Sequence, residues 1–169
     1  MSLQITPIAG AGEENQFRIV DRRPASTLAD LAPEYRQLID GAYYVILGVH
    51  DDRGRIQLSP MWFRAHRDGE HLEINTSKGR AKWRHMRADP QVTIQVVNHE
   101  NPYHWVTIYG RVVDEIPESD PGRGHLATEG IDDLSEQYIQ QRPYPLRGPG
   151  EERVLFLVKP TQIVTFGQP

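Results

Sequence analysis

At 169 residues and 19.3 kDa the chain fits one folded domain, and its 38% hydrophobic and 25% charged residues support a packed core while excluding a membrane-spanning run. The formal net charge of -4 argues against broad nucleic-acid binding, which needs clustered cations, and the absence of cysteine removes disulfides, thiolate metal sites and cysteine nucleophiles. The start of the chain has neither a basic nor an apolar leader pattern, so a cytoplasmic protein without membrane contact is expected.

Residues 1–26 mix Gly, Ala, Pro and charged residues without a sustained period and read as an N-terminal arm, which leaves residues 27–169 as the folded domain. From Asp30 to Asp40, Leu31, Tyr35, Leu38 and Ile39 recur at helical spacing, with Pro33 in the first turn and Gly41 at the end. Tyr43 to Val49 is a β-branched and aromatic run, and Asp51-Asp52-Arg53-Gly54 turns it into a second strand over Arg55 to Ala65. Pro60 inside that strand lacks an N–H for a ladder and predicts an edge, a bulge or a bend. His71 to Asn75 makes a third strand, which stops at Asn75-Thr76-Ser77.

Lys78 to Arg87 then reads as a helix capped by Ser77 and ended by Asp89-Pro90. Val92, Ile94 and Val96 alternate through a fourth strand, and Trp105 to Val113 gives a fifth with Gly110 inside it. Residues from Glu118 to Arg142 are polar with scattered apolar positions, which predicts helical excursions before a last pairing over Arg153 to Phe166. About six strands with short turns and few helices predict a mainly β fold, a closed or partly closed antiparallel barrel.

Two stretches carry chemistry. At Asn75-Thr76-Ser77-Lys78-Gly79-Arg80-Ala81-Lys82 a strand meets a helix start, where backbone N–H groups, Gly79 and the charges of Lys78, Arg80 and Lys82 suit an anion such as phosphate. The alternative is a solvated basic face. At Leu58-Ser59-Pro60-Met61-Trp62 a proline-interrupted strand presents a hydroxyl, a thioether and an aromatic, which suits the edge and face of a planar ring or ordinary barrel packing. The seven histidines form no close helical pair with a supporting carboxylate, so no metal site is expected, and hydrolase and nucleotide-triphosphatase motifs are missing. The acidic pairs Asp132-Asp133 and Glu151-Glu152 lie in polar connecting sequence and read as solvated charge.

The order of these pieces resembles the pyridoxamine 5'-phosphate oxidase-like superfamily. The segments that carry the resemblance are Tyr44-Val45-Ile46-Leu47, Ile56-Gln57-Leu58-Ser59-Pro60-Met61-Trp62, the Asn75 to Lys82 junction, Asp89-Pro90-Gln91-Val92 and Val106-Thr107-Ile108-Tyr109-Gly110-Arg111-Val112. The helix start is most similar to the deazaflavin-dependent branch, although His85-Met86 stands where those sequences usually carry Asn-Leu. The resemblance implies a split β-barrel, a homodimer with cofactor sites across its interface, and coenzyme F420 as cofactor with FMN as the alternative. It implies phosphate contacts at Lys78, Arg80 and Lys82, and ring or ribityl contacts at Ser59, Pro60, Met61, Trp62, Asn75 and Thr76. Because such a ring carries the hydride itself, no catalytic side chain is assigned, and a proton for the small-molecule substrate comes from solvent, Tyr103, His104 or Tyr144. A non-catalytic flavin carrier and a cofactor-free structural dimer are the competing readings.

Overall fold

A computed structural model describes residues 27–167, so the predicted arm over 1–26 lies outside the described residues. A 3-10 turn at Leu28–Asp30 precedes helix α1, Pro33–Asp40. The strands are β1 Val45–His50, β2 Ile56–Met61, β3 Arg64–Ala65, β4 Leu72–Ser77, β5 Gln91–Val97, β6 Trp105–Pro117 and β7 Arg153–Phe166. Helix α2, Ala81–Ala88, joins β4 to β5, and α3, His125–Ile139, lies between β6 and β7. The strands form one antiparallel sheet in the order β2-β1-β5-β6-β7-β4-β3, a split barrel. No helix among the described residues is long and apolar enough to cross a membrane.

The long second strand of the sequence breaks at Trp62 and Phe63, so seven strands replace about six. Pro60 sits on β2 opposite Ile46, and β2 is an edge of the sheet, the place where a strand tolerates proline. Alternation then sorts side chains: Val45, Leu47, Val49, Ile94, Val96, Val106, Ile108, Ile74, Phe156 and Val158 turn inward and form the core. The amphipathic α1 closes one end of the barrel by burying Tyr35, Leu38 and Ile39.

β7 departs from simple alternation because both of its faces are covered. Val154, Phe156 and Val158 enter the barrel core, while Leu155 packs outside with Ile116 and Ala127 of β6 and α3. The excursions predicted between 118 and 142 are this one helix, and Gly130 brings it close to β4, where an added Cβ would lie 3.3 Å from Asn75 Nδ2. The helix predicted from Lys78 starts three residues later, at Ala81. Ser77 does not cap it, because its hydroxyl donates instead to Glu151 Oε1 at 2.6 Å and no side chain caps the helix.

Candidate functional site

The barrel splits beside β4. β3 pairs with β4 only at Leu72 and Glu73, so the edge of β4 from Ile74 to Ser77 has no strand partner on that side. There a cavity of about 340 Å³ opens, lined by Tyr44, Pro60, Met61, Trp62, Asn75, Thr76, Arg80, Lys82, Ile131, Leu134, Tyr144, Leu146 and Arg153. The two stretches singled out in the sequence thus face each other across one space. Pro60, Met61 and Trp62 come from the end of β2, Asn75 and Thr76 from β4, and Arg80 and Lys82 from the start of α2.

Ser59 and Lys78 are not part of the lining. Ser59 pairs with Leu47 in the β1–β2 ladder and shares the barrel-side face with it. The backbone turns at Gly79, which has φ of +86°, a conformation that favours glycine. Beyond that turn Arg80 heads for the cavity, while Lys78 stays behind it, its Nζ 2.9 Å from Glu152 Oε2. The neighbouring cations of α2 are also engaged elsewhere. Arg87 pairs with Glu115 at 3.1 Å and covers the Trp83 ring, and Arg84 donates to the carbonyl of Gly79 at 2.6 Å.

Arg80 and Lys82 make no side-chain hydrogen bond or ion pair among the described residues. Burial, followed by repulsion from Arg80 and Arg153, pushes the Lys82 ammonium below its ordinary range. Thr76 is 2% exposed and lines the cavity, and its hydroxyl has no hydrogen-bond partner among the described residues. An orphaned buried hydroxyl is a departure from the satisfaction that interiors normally show, and a ligand atom is the natural remedy. Facing the cations is an aromatic wall. Trp62 stacks on Tyr138 at 5.3 Å and meets Tyr144 edge-on at 6.1 Å, and Tyr138 is pinned by donating its hydroxyl to the Tyr43 carbonyl at 2.6 Å.

The sequence reading gave no site role to Tyr44 before β1, Arg153 at the start of β7, Ile131 and Leu134 on α3, or Leu146, all of which line the cavity. Arg153 is 3% exposed. Its Nε donates to Asn75 Oδ1 at 2.9 Å, and its Nη1 donates to Ser77 Oγ at 3.0 Å and to Glu151 Oε1 at 2.5 Å. Glu151 is therefore not a solvated charge. Burial alone would raise its carboxyl, but the Ser77 hydroxyl, Arg153 and the Gly148 N–H hold it at about 2. The same correction holds for its pair-mate Glu152, bound by Lys78 and Ser119, and for Asp133, bound by Arg64 and Arg142. Of the three proton candidates only Tyr144 lines the cavity. His104 is fully buried beside Tyr35 under α1, and Tyr103 is exposed in the loop before β6.

A split barrel with a cationic and aromatic cavity at its open edge defines a class, and comparison with known proteins gives the family. The family model for pyridoxamine 5'-phosphate oxidase matches residues 31–165, and the chain belongs to that family, whose fold binds flavins. Among solved structures it is similar to an F420 reductase at 26% identity and a TM-score of 0.64, covering 79% of this chain and 98% of the other. A FAD-binding protein from Mesorhizobium loti is 24% identical with a TM-score of 0.57, covering 79% and 92%. A putative pyridoxamine 5'-phosphate oxidase from Listeria innocua is 19% identical with a TM-score of 0.50, covering 73% and 87%. No curated protein matches.

Proposed function

We propose that the cavity binds coenzyme F420, with FMN as the alternative, and that the protein is a homodimeric oxidoreductase moving hydride between that ring and a small organic substrate. The observation that carries this reading is the convergence of Arg80, Lys82, Arg153 and the unpartnered Thr76 hydroxyl on one cavity that Tyr44, Trp62 and Tyr144 also line. The F420 reductase at 26% identity favours the deazaflavin. When bound, the ring supplies the chemistry by giving or taking a hydride, two electrons with one proton, and the substrate's second proton is exchanged with solvent.

The chain's own residues hold and shield. In this reading Arg80 and Lys82 attract the cofactor phosphate beside the uncapped start of α2, and Met61 and Trp62 flank the ring. The open edge of β4 at Asn75 and Thr76 offers backbone groups and the Thr76 hydroxyl to polar ring atoms. Ile131, Leu134 and Leu146 exclude water from one side of the space. Lys78, bound to Glu152, contributes to the field and makes no direct contact.

Homodimerisation is supported by an apolar strip along β1 and β2. Tyr44, Ile56 and Leu58 are more than half exposed and Ile46 stands beside them, and the strip reaches the cavity through Tyr44 and Pro60. A second copy covering it makes a twofold interface and closes the open side of the site. The mass in solution is then near twice 19.3 kDa.

The deciding experiment is a side-by-side titration of coenzyme F420 and FMN at low and high salt, followed by turnover with the reduced cofactor. Coenzyme F420 carries an anionic tail beyond its phosphate, so it should bind more tightly, with a difference that shrinks as salt screens the tail. Equal or tighter FMN binding at low salt rejects the deazaflavin. Binding of neither ring rejects the cofactor reading and leaves a structural dimer.

A further inference from the structure

We infer that Arg153 is the phosphate-reading residue of the cavity, the group by which the site tells a phosphorylated ring cofactor from its dephosphorylated counterpart. The inference rests on the cofactor reading above and adds to it a residue from β7, far in sequence from the strand-to-helix junction.

The geometry of the guanidinium carries the argument. The register pair Ser77↔Arg153 brings the start of β7 against the end of β4. Nε and Nη1 are then fully occupied by Asn75, Ser77 and Glu151, and the plane of the group lies over the Tyr144 ring at 5.4 Å. Nη2 has no hydrogen-bond partner among the described residues, although the residue is 3% exposed and lines the cavity. Its two N–H donors are engaged by no protein group among those residues and keep access to the cavity, where they can take the oxygens of a ligand.

Glu151 holds this fork and does not satisfy it. Its carboxylate binds Nη1, the Ser77 hydroxyl and the Gly148 N–H, which fixes the orientation while leaving Nη2 for the cavity. A guanidinium held in this way loses little conformational freedom on binding an anion, and an Nη2 N–H can meet a phosphate oxygen in a charge-assisted hydrogen bond. Lys82 and Arg80 stand beside it without acidic partners, so the local field is positive and the depressed Lys82 ammonium reports the same crowding of charge. Acid groups facing the cluster are limited to Glu151 among the described residues that hydrogen-bond or ion-pair with it.

The test crosses ligand phosphate with the arginine. FMN and riboflavin are titrated into the wild-type protein, Arg153→Lys and Arg153→Gln, and thermal stability is read for each with and without inorganic pyrophosphate. Arg153→Gln should weaken FMN about 10- to 100-fold, the scale of a charge-assisted hydrogen bond, while riboflavin moves less than about threefold. Arg153→Lys keeps the charge without the clasped, directed Nη2 donors and should fall between. Pyrophosphate should raise the melting temperature of the wild-type protein more than that of Arg153→Lys. Parallel losses for FMN and riboflavin, no loss for either, or equal pyrophosphate stabilisation of wild type and Arg153→Lys overturn the inference and leave Arg153 as a structural clasp. A wild-type protein that binds neither ring but is stabilised by pyrophosphate through Arg153 overturns the cofactor reading alone.

Discussion

Two arginine-rich clusters sit a few residues apart along β4, and their contrast separates structure from site. In the first, Arg64 donates to Glu73 at 2.7 Å and to Asp133 at 2.5 Å, His66 meets Glu73 at 2.6 Å, and Arg142 also binds Asp133. Every cation there has a carboxylate, and the result ties β3, β4 and α3 together. In the second, Arg153 pairs with Glu151, while Arg80 and Lys82 have no acid among the described residues, and the three surround a cavity. Charge that is matched inside the protein is a clasp, whereas cationic charge left in excess around an open cavity asks for an anion from outside.

The largest expected effect breaks the clasp. Arg64→Ala strands Glu73, which is 2% exposed, with only His66 for a partner, and should cost about 2–4 kcal/mol of unfolding free energy in urea titrations. Cofactor affinity of the remaining folded protein should change less than about twofold. A loss below about 0.5 kcal/mol would show that the cluster is solvated surface charge.

Next comes the unmatched side. Arg80→Ala should weaken cofactor binding by about 1.5–3 kcal/mol, with stability of the ligand-free protein unchanged within about 0.5 kcal/mol. The reverse pattern, lost stability with intact binding, would merge the two clusters into one kind.

Lys82 sharpens the comparison through pH. Its folded ammonium has a depressed pKa, so between that value and 10.5 the unfolded chain binds more protons and ligand-free stability should rise as pH climbs through this window. Lys82→Met should flatten that rise and stabilise the ligand-free protein by about 0.5–1 kcal/mol at pH 7 while weakening cofactor binding. A variant that loses stability and keeps its binding would remove Lys82 from the site. Glu151 acts with the opposite sign. Its carboxyl drops from 4.5 to about 2 on folding, so its stabilising share is complete above pH 4.5 and is lost as pH falls towards 2, a slope that Glu151→Gln should reduce in acid titrations.

The smallest effect belongs to Lys78→Ala. Lys78 is more than half exposed and bound to Glu152, so neither stability beyond about 0.5 kcal/mol nor cofactor affinity beyond about twofold should change. A tenfold loss of affinity would return Lys78 to the phosphate and favour rearrangement of the Gly79 turn on binding.

The sequence by itself determined what local pattern can encode. Period-two alternation in β5, the turn after β1, the unfitness of Pro60 for a ladder interior and the apolar stripe of α1 follow from residue order because each depends on neighbours a few positions away. The strand-to-helix junction at Asn75 to Lys82 was legible for the same reason, as a run of cations at a helix start. What the tertiary structure decided are the relations between distant segments. A charge run cannot say which of its members turns inward, and the left-handed Gly79 sends Arg80 and Lys78 to different sides. Arg153 reads locally as one polar residue opening a strand, and Glu151 as half of an acidic pair. Only the antiparallel register of β4 with β7, closing a loop of more than seventy residues, sets that arginine beside Asn75 and Ser77 and makes it part of the cavity.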